Sequence, residues 1–278
     1  MADLYHETLV IAANELGPLP QSVTRLSALF ADPNYELREV VKAVELDSSM
    51  AGRLIGLANS SAYAGNTVSS VRDAVVRLGA GVVRCVAVAA SVRPKSDMEL
   101  SVFNLTPESY WQHCVAVLSF AEELAAYKPR TFTDDFATAA LLHDFGKLLL
   151  AETLSPTYLD LLNQQDECLP SIEREMRALG VNHAEVSAVV AQSWKLPDDL
   201  VRAVQHHHTP SMCDTPMCYG LSISNHLARR LESGEQENEC VAATQALSMA
   251  SIGLDGEELD IIFERGAERF DATIGVFQ

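Results

Sequence analysis

Residues 139–150 read Ala-Ala-Leu-Leu-His-Asp-Phe-Gly-Lys-Leu-Leu-Leu, an apolar run broken by His143, Asp144 and Lys147. A stretch this apolar has to be buried, and it is long enough for about three turns of helix. An unpaired buried charge costs several kcal/mol, so the adjacent His143 and Asp144 must find partners inside the fold. Two kinds of partner meet that need. One is a tight ion pair or a helix–helix hydrogen bond; the other is a metal ion that takes both side chains as ligands.

The rest of the chain is patterned for helix as well. Apolar residues recur at three- and four-residue steps, as in Val23, Leu26, Leu29 and Phe30, or Val40, Val41 and Val44, or Leu54, Leu57 and Ala58. Alternating β-branched runs bounded by hairpin turns are missing from the sequence. The segment Val82–Val92 resembles a strand in its valines, but its alanines and the preceding Leu78-Gly79-Ala80-Gly81 favour a buried helix. Thr106-Pro107-Glu108 opens another, with Pro at its first position. The spacing predicts helices over 107–127, 133–153, 156–166, 170–179, 183–194, 197–206 and 216–233. A polar loop at Ser233–Glu239 and a pair of terminal helices over 241–251 and 256–270 follow. The expected fold is all-α: an N-terminal helical subdomain over 1–95, a helical bundle over 96–235 and a C-terminal helical extension over 236–278.

Composition limits the functions open to this fold. Among 278 residues, 38 acidic side chains against 20 basic ones give a net charge of −18, and no Lys/Arg run offsets it. Such a surface repels a phosphate backbone, so direct nucleic-acid binding is not expected. No apolar stretch is long enough to span a bilayer, and the acidic N-terminus has no basic leader segment, so a cytoplasmic protein is expected. Cys85, Cys114, Cys168, Cys213, Cys218 and Cys240 show no Cys-x-x-Cys spacing and are expected to be free thiols, mostly small core residues. A zinc site on Cys213 and Cys218 would be poorly spaced.

Histidines are the remaining chemistry. On a continuous helix His143 and Lys147 share a face and Asp144 is turned by about 100°. An ion over that helix reaches His143 and Asp144, and leaves Lys147 aimed at whatever the ion binds. His113 lies near the start of the helix over 107–127, His183 follows the natural N-cap Asn182, and His206-His207-His208 closes a short helix. Ligands drawn from four helices would suit Mn, Fe or Zn. Each has a plainer explanation too: a half-buried helix histidine, a surface residue behind its cap, or a cation favoured at a helix C-terminus. Other catalytic signatures fail. His183-Ala184-Glu185 mimics the His-x-Glu of zinc deaminases without their Pro-Cys-x-x-Cys, and there is no His-Glu-x-x-His, P-loop or Gly-x-Ser-x-Gly.

Several motifs in order carry a resemblance. They are Leu57-Ala58-Asn59-Ser60-Ser61-Ala62-Tyr63, then Val68–Gly79, Trp111-Gln112-His113, Leu141–Lys147, Leu179–Val186, Trp194-Lys195-Leu196-Pro197 and His207-His208-Thr209-Pro210. Over roughly residues 15–230 the chain resembles the HDOD (HD-related output domain) family. The resemblance implies a bacterial, all-helical signalling module related to the HD and HD-GYP metal-dependent phosphohydrolases, with an HD-like C-terminal part. It also implies metal ligands at His113, His143, Asp144, His183, His207 and His208, and Lys147 near a phosphate. Those hydrolases close the site with a distal aspartate, where this chain offers Asn225. A neutral amide there weakens divalent-metal binding. The Gly-Tyr-Pro element of the cyclic-di-GMP phosphodiesterases is missing.

Two functions are therefore expected. The first is a non-catalytic regulatory module that binds a protein partner or a small signalling ligand through a degenerate HD site, with a divalent Fe, Mn or Zn ion or with none. The alternative is a metal-dependent phosphohydrolase acting on a nucleotide or other phosphoester, with Lys147 stabilising phosphate charge. The small-residue segment Ala58–Ala62 reads as a tight helix–helix joint, with Asn59 bonded to a carbonyl across the two subdomains. Oligomeric state is left open.

Overall fold

A computed structural model describes residues 25, 26, 29, 34–63, 65–92, 94–153, 171–233 and 239–277. Every regular element among them is helical. Three helices come first: α1 (Leu37–Glu45), α2 (Ser48–Ala58) and α3 (Val71–Val92). Asp47 caps α2, its carboxylate accepting from the Met50 N–H at 3.0 Å. The valine-rich segment is helix, as the alanines implied, and α3 is kinked at Gly79, whose φ of 78° breaks the helical run.

Asn59 acts differently from expectation. Its Nδ2 donates to Val68 O at 2.8 Å and its Oδ1 accepts from Val68 N at 2.8 Å. The amide thus closes the loop between α2 and α3, bonded to Val68 and Ile55 rather than to a carbonyl beyond residue 95.

The centre of the fold is α4 (Pro107–Tyr127), opened by a reciprocal Thr106–Ser109 capping box with Pro107 at its first position. Residues 113–121 of α4 are all buried, so this stretch of the helix is enclosed on every side. It packs against α5 (Phe136–Leu142), α10 (Pro216–Ser233) and α12 (Gly256–Phe277). Around it sit α6 (Phe145–Thr153), α7 (Ser171–Leu179), α8 (His183–Ser193), α9 (Asp198–Gln205) and α11 (Glu239–Ile252). Arg84 of α3 pairs with Asp135 at the head of α5 at 2.5 Å. Tyr63 donates to both Glu122 oxygens at 2.9 and 2.8 Å, while Arg269 of α12 holds Glu122 and Glu123. These polar ties join the N-terminal helices and the last helix to α4.

Two expectations need correction. The helix expected over 133–153 is two, α5 and α6, broken at His143-Asp144. Cys213 and Cys218 form a disulfide and are not free thiols. The 3-10 turn Pro210–Met212 and the left-handed Asp214 (φ 54°) fold the chain back so that the two sulfurs meet. Cys85 and Cys114 are free and buried, as expected. The helix expected over 156–166, most of the polar loop 233–239 and Cys168 lie outside the described residues. No helix among those described is long and apolar enough to cross a membrane.

Candidate metal centre

His143 and Asp144 stand at the break between α5 and α6, and their side chains meet at one interior spot. Both are fully buried. Gly146 allows the second half of the run to approach α8. A Cβ there would lie 2.1 Å from His183 O, so only glycine fits. Its N–H donates to Ser187 Oγ at 2.7 Å, and Ser187 in turn donates to His183 O at 2.8 Å.

His183 is delivered by the turn between α7 and α8. Gly180 ends α7 in the left-handed conformation (φ 74°), and Asn182 caps α8 with Glu185 completing a capping box. Folding α7 back in this way brings buried Glu175 against His183. Glu175 accepts from the His183 backbone N–H at 2.7 Å and from its Nδ1 at 2.7 Å. His207 and His208 follow the end of α9, and His113 comes from α4.

All six sequence-predicted groups meet. Asp144, His183, His207 and His208 offer ligand atoms within 4.8 Å of one another, and so do His113, His143 and Asp144, giving a cluster that could hold a metal ion. Asp144 belongs to both groups. His183 Nε2 is 3.1 Å and His207 Nε2 3.6 Å from its Oδ1; His143 Nε2 is 3.5 Å and His113 Nε2 3.8 Å from its Oδ2.

The supporting hydrogen bonds decide which ring nitrogen faces inward. His143 Nδ1 lies 2.7 Å from Ala140 O, and His207 Nδ1 lies 2.7 Å from Val204 O. A carbonyl only accepts, so both Nδ1 atoms carry hydrogen, and in the neutral ring Nε2 keeps its lone pair. The carboxylates of Glu175 and Glu232 do the same for His183 and His113, the latter at 2.8 Å. In the neutral rings of His113, His143 and His207 the Nε2 lone pair thus faces Asp144 in the form that binds metals, and His183 Nε2 joins them once it gives up its proton. His113 Nε2 and His143 Nε2 stand 3.2 Å apart, as do His183 and His208 Nε2 at 3.1 Å. In the first pair both Nδ1 atoms are held by acceptors, so two Nε2 lone pairs face each other and repel unless a proton or a cation lies between them. Asp144 Oδ1 and His207 Nε2 are buried without a hydrogen-bond partner, so the donor set fits a divalent ion.

Burial pushes the His143, His207 and His208 imidazoles below their ordinary range and so keeps them neutral. Burial also opposes charge on His183, but the Glu175 and Asp144 carboxylates outweigh it and raise that imidazole. For Asp144 burial is outweighed by Lys147, His143 and His183, which hold the carboxyl well below its usual value.

Lys147 sits differently from expectation. Its Nζ lies 2.5 Å from Asp144 Oδ2, so the ammonium is engaged by the ligand itself. Asn225 is buried on α10 with an unpartnered Oδ1, seven residues before Glu232 and on the same face of the helix. Glu175 and Glu232 were missed at the level of sequence. Glu175 had a signal: with Ile172, Met176 and Leu179 it occupies an apolar i, i+3, i+4, i+7 stripe where a carboxylate needs a buried partner. Glu232 had none.

Comparisons with known proteins bear on the fold and the family. The chain resembles an uncharacterised protein of Treponema pallidum (strain Nichols), 22% identical over 201 residues, 70% of this chain and 38% of that protein. It thus spans less than two fifths of that relative's length. Among solved structures it is similar to a candidate phosphohydrolase of Shewanella amazonensis SB2B (TM-score 0.73, 22% identity, covering 95% of this chain and 97% of the other). It is also similar to a candidate signal-transduction protein of Marinobacter aquaeolei VT8 (TM-score 0.71, 27% identity, covering 95% of this chain and 59% of the other). The model of the HDOD domain matches residues 16–210, which takes in the N-terminal helices and all six clustered side chains; the chain belongs to the HDOD domain family.

Proposed function

We propose that this chain is a regulatory HDOD module whose buried cluster holds a divalent Mn, Fe or Zn ion as a fastener between helices, and that it works by binding a protein partner or a small signalling ligand. The observation that carries the metal is the His113–His143 Nε2–Nε2 contact at 3.2 Å, with both Nδ1 atoms already held by acceptors. His113, His143, Asp144, His183, His207 and His208 would be the ligands. A bound ion would supply positive charge that satisfies Asp144 Oδ1 and His207 Nε2 and ties α4, α6, α8 and the turn after α9 together.

Three features favour a regulatory role over turnover. His143, Asp144 and His183 are fully buried. Lys147, the group the family resemblance would place near a phosphate, is spent on Asp144. The family resemblance would put the buried Asn225 in the place of the hydrolases' anionic ligand. The division into an N-terminal subdomain to residue 95, an HD-like bundle to 235 and a C-terminal extension is part of the same proposal.

Loading with Mn2+ and comparing thermal stability tests the reading. Mn2+ raises the melting temperature of the wild type and not of Asp144→Asn, while the loaded wild type leaves a panel of phosphoesters and cyclic dinucleotides uncleaved. Cleavage that His143→Ala abolishes would establish the phosphohydrolase instead.

A further inference from the structure

The disulfide between Cys213 and Cys218 lies five residues beyond His208 and is used by nothing described so far. From His206 to Asp214 the chain runs through consecutive hydrogen-bonded turns: Thr209 N to His206 O, Met212 N to Thr209 O, and Asp214 N to Pro210 O. The disulfide ends this series by fastening it to Cys218, the third residue of α10. The turn that presents His207 and His208 is thereby tied to the helix that carries Asn225 and Glu232.

The chemistry around the bond suits exchange. Met212 is 74% exposed, so the turn lies at the surface, and Cys213 is half-buried while Cys218 is fully buried. An incoming thiolate therefore reaches Cys213 Sγ first. Cys218 Sγ then leaves as a thiolate in the first turn of α10, where the helix N-terminus and the Thr215 hydroxyl, 3.2 Å away, favour negative charge. A low-energy leaving thiolate speeds the reaction.

We infer that Cys213–Cys218 is a reversible redox site that controls how firmly the His207–His208 turn is held. In reduction, a dithiol's thiolate forms a bond to Cys213 Sγ as the Cys213–Cys218 bond breaks. The dithiol's second thiol resolves the mixed disulfide, so the dithiol is oxidised by two electrons and the two cysteines take up two protons. In oxidation, a peroxide or a small disulfide takes the two electrons back. The consequence for metal affinity rests on the metal-binding reading of the neighbouring cluster.

The test uses the full chain, oxidised with glutathione disulfide or reduced with dithiothreitol, beside a Cys213→Ser variant that cannot close the bond. Hydrogen exchange of residues 203–212 is compared with that of residues 145–150 in the same sample, and Mn2+ binding is measured by calorimetry. Reduction and Cys213→Ser should each speed exchange in 203–212 by about tenfold, leave 145–150 unchanged and weaken Mn2+ binding by a similar factor. Reoxidation should restore the slow exchange in the wild type alone. Equal exchange of 203–212 in both redox states, or failure of the pair to reclose, overturns the inference. Redox-dependent exchange with no Mn2+ binding in either state supports the redox site and refutes the metal reading instead.

Discussion

Replacing Gly146 by alanine should separate the metal centre's scaffold from ordinary helix propensity. The added Cβ would lie 2.1 Å from His183 O and 2.8 Å from Ser187 N, both backbone atoms that cannot swing aside. The helices α6 and α8 must part by roughly 1 Å to restore van der Waals separation. Overpacking of this kind costs about 1–3 kcal/mol. Parting also loosens the Gly146 N–H to Ser187 Oγ bond, worth about 1 kcal/mol. A loss of ~2–4 kcal/mol follows, read as a fall in melting temperature of about 5–10 °C. Because Asp144 precedes the clash and His183 receives it, their 3.1 Å contact lengthens and Mn2+ affinity falls with stability. Gly52→Ala is the control. That glycine is interior to α2 with nothing within 4 Å of its Cβ, so alanine should stabilise by about 0.5–1 kcal/mol. Urea denaturation of the three proteins, each with and without Mn2+, gives the numbers. A Gly146→Ala protein within about 0.5 kcal/mol of wild type would refute the close approach of α6 and α8.

Further tests address the charges. In metal-free protein the His143, His207 and His208 imidazoles are depressed by burial, and His226 is pushed down to about 4 by burial and by Arg229 and Arg230. The unfolded chain binds protons on these four from pH 6.5 downward while the folded chain does not, so their contribution is present above pH 6.5 and lost on acidification. His183 has the opposite sign: its raised value adds stability below pH 6.5 that is lost as pH rises through the folded value. Urea midpoints should therefore fall between pH 6.5 and 4.5, and a flat profile would contradict the neutral histidines. Mn2+ binding should displace the proton that Glu175 and Asp144 favour on His183, so calorimetric heats measured in two buffers of different ionisation enthalpy should differ. Equal heats would mean that no proton stands in for the ion. Glu175→Gln removes the buried carboxylate that orients His183 and should weaken Mn2+ binding about 10–100-fold, whereas the exposed Glu173→Gln should not change it.

What could be read from the sequence was local or chemical. Thr106-Pro107 and Asn182 gave helix starts that the structure reproduces, because a cap and a first-turn proline act within four residues. His113, His143, Asp144, His183, His207 and His208 were identified on residue type and family resemblance, and they converge. What stayed hidden depends on how helices meet. The break at His143-Asp144 and the close approach of α6 to α8 at Gly146 are tertiary features that no periodicity records. The disulfide depended on the reversal at Asp214, and a five-residue spacing of cysteines carries no signal of that turn. Glu232 sits 119 residues from His113 in sequence, so only the packing of α10 on α4 could reveal the pair.

The central claim is that the six side chains are a metal site. Elemental analysis of untagged protein purified without chelator, beside Asp144→Asn prepared in the same way, tests it most directly. The account predicts Mn, Fe or Zn at about one equivalent or more in the wild type and little in the variant. A wild type that contains none of these metals, and takes up none when incubated with each, would contradict it.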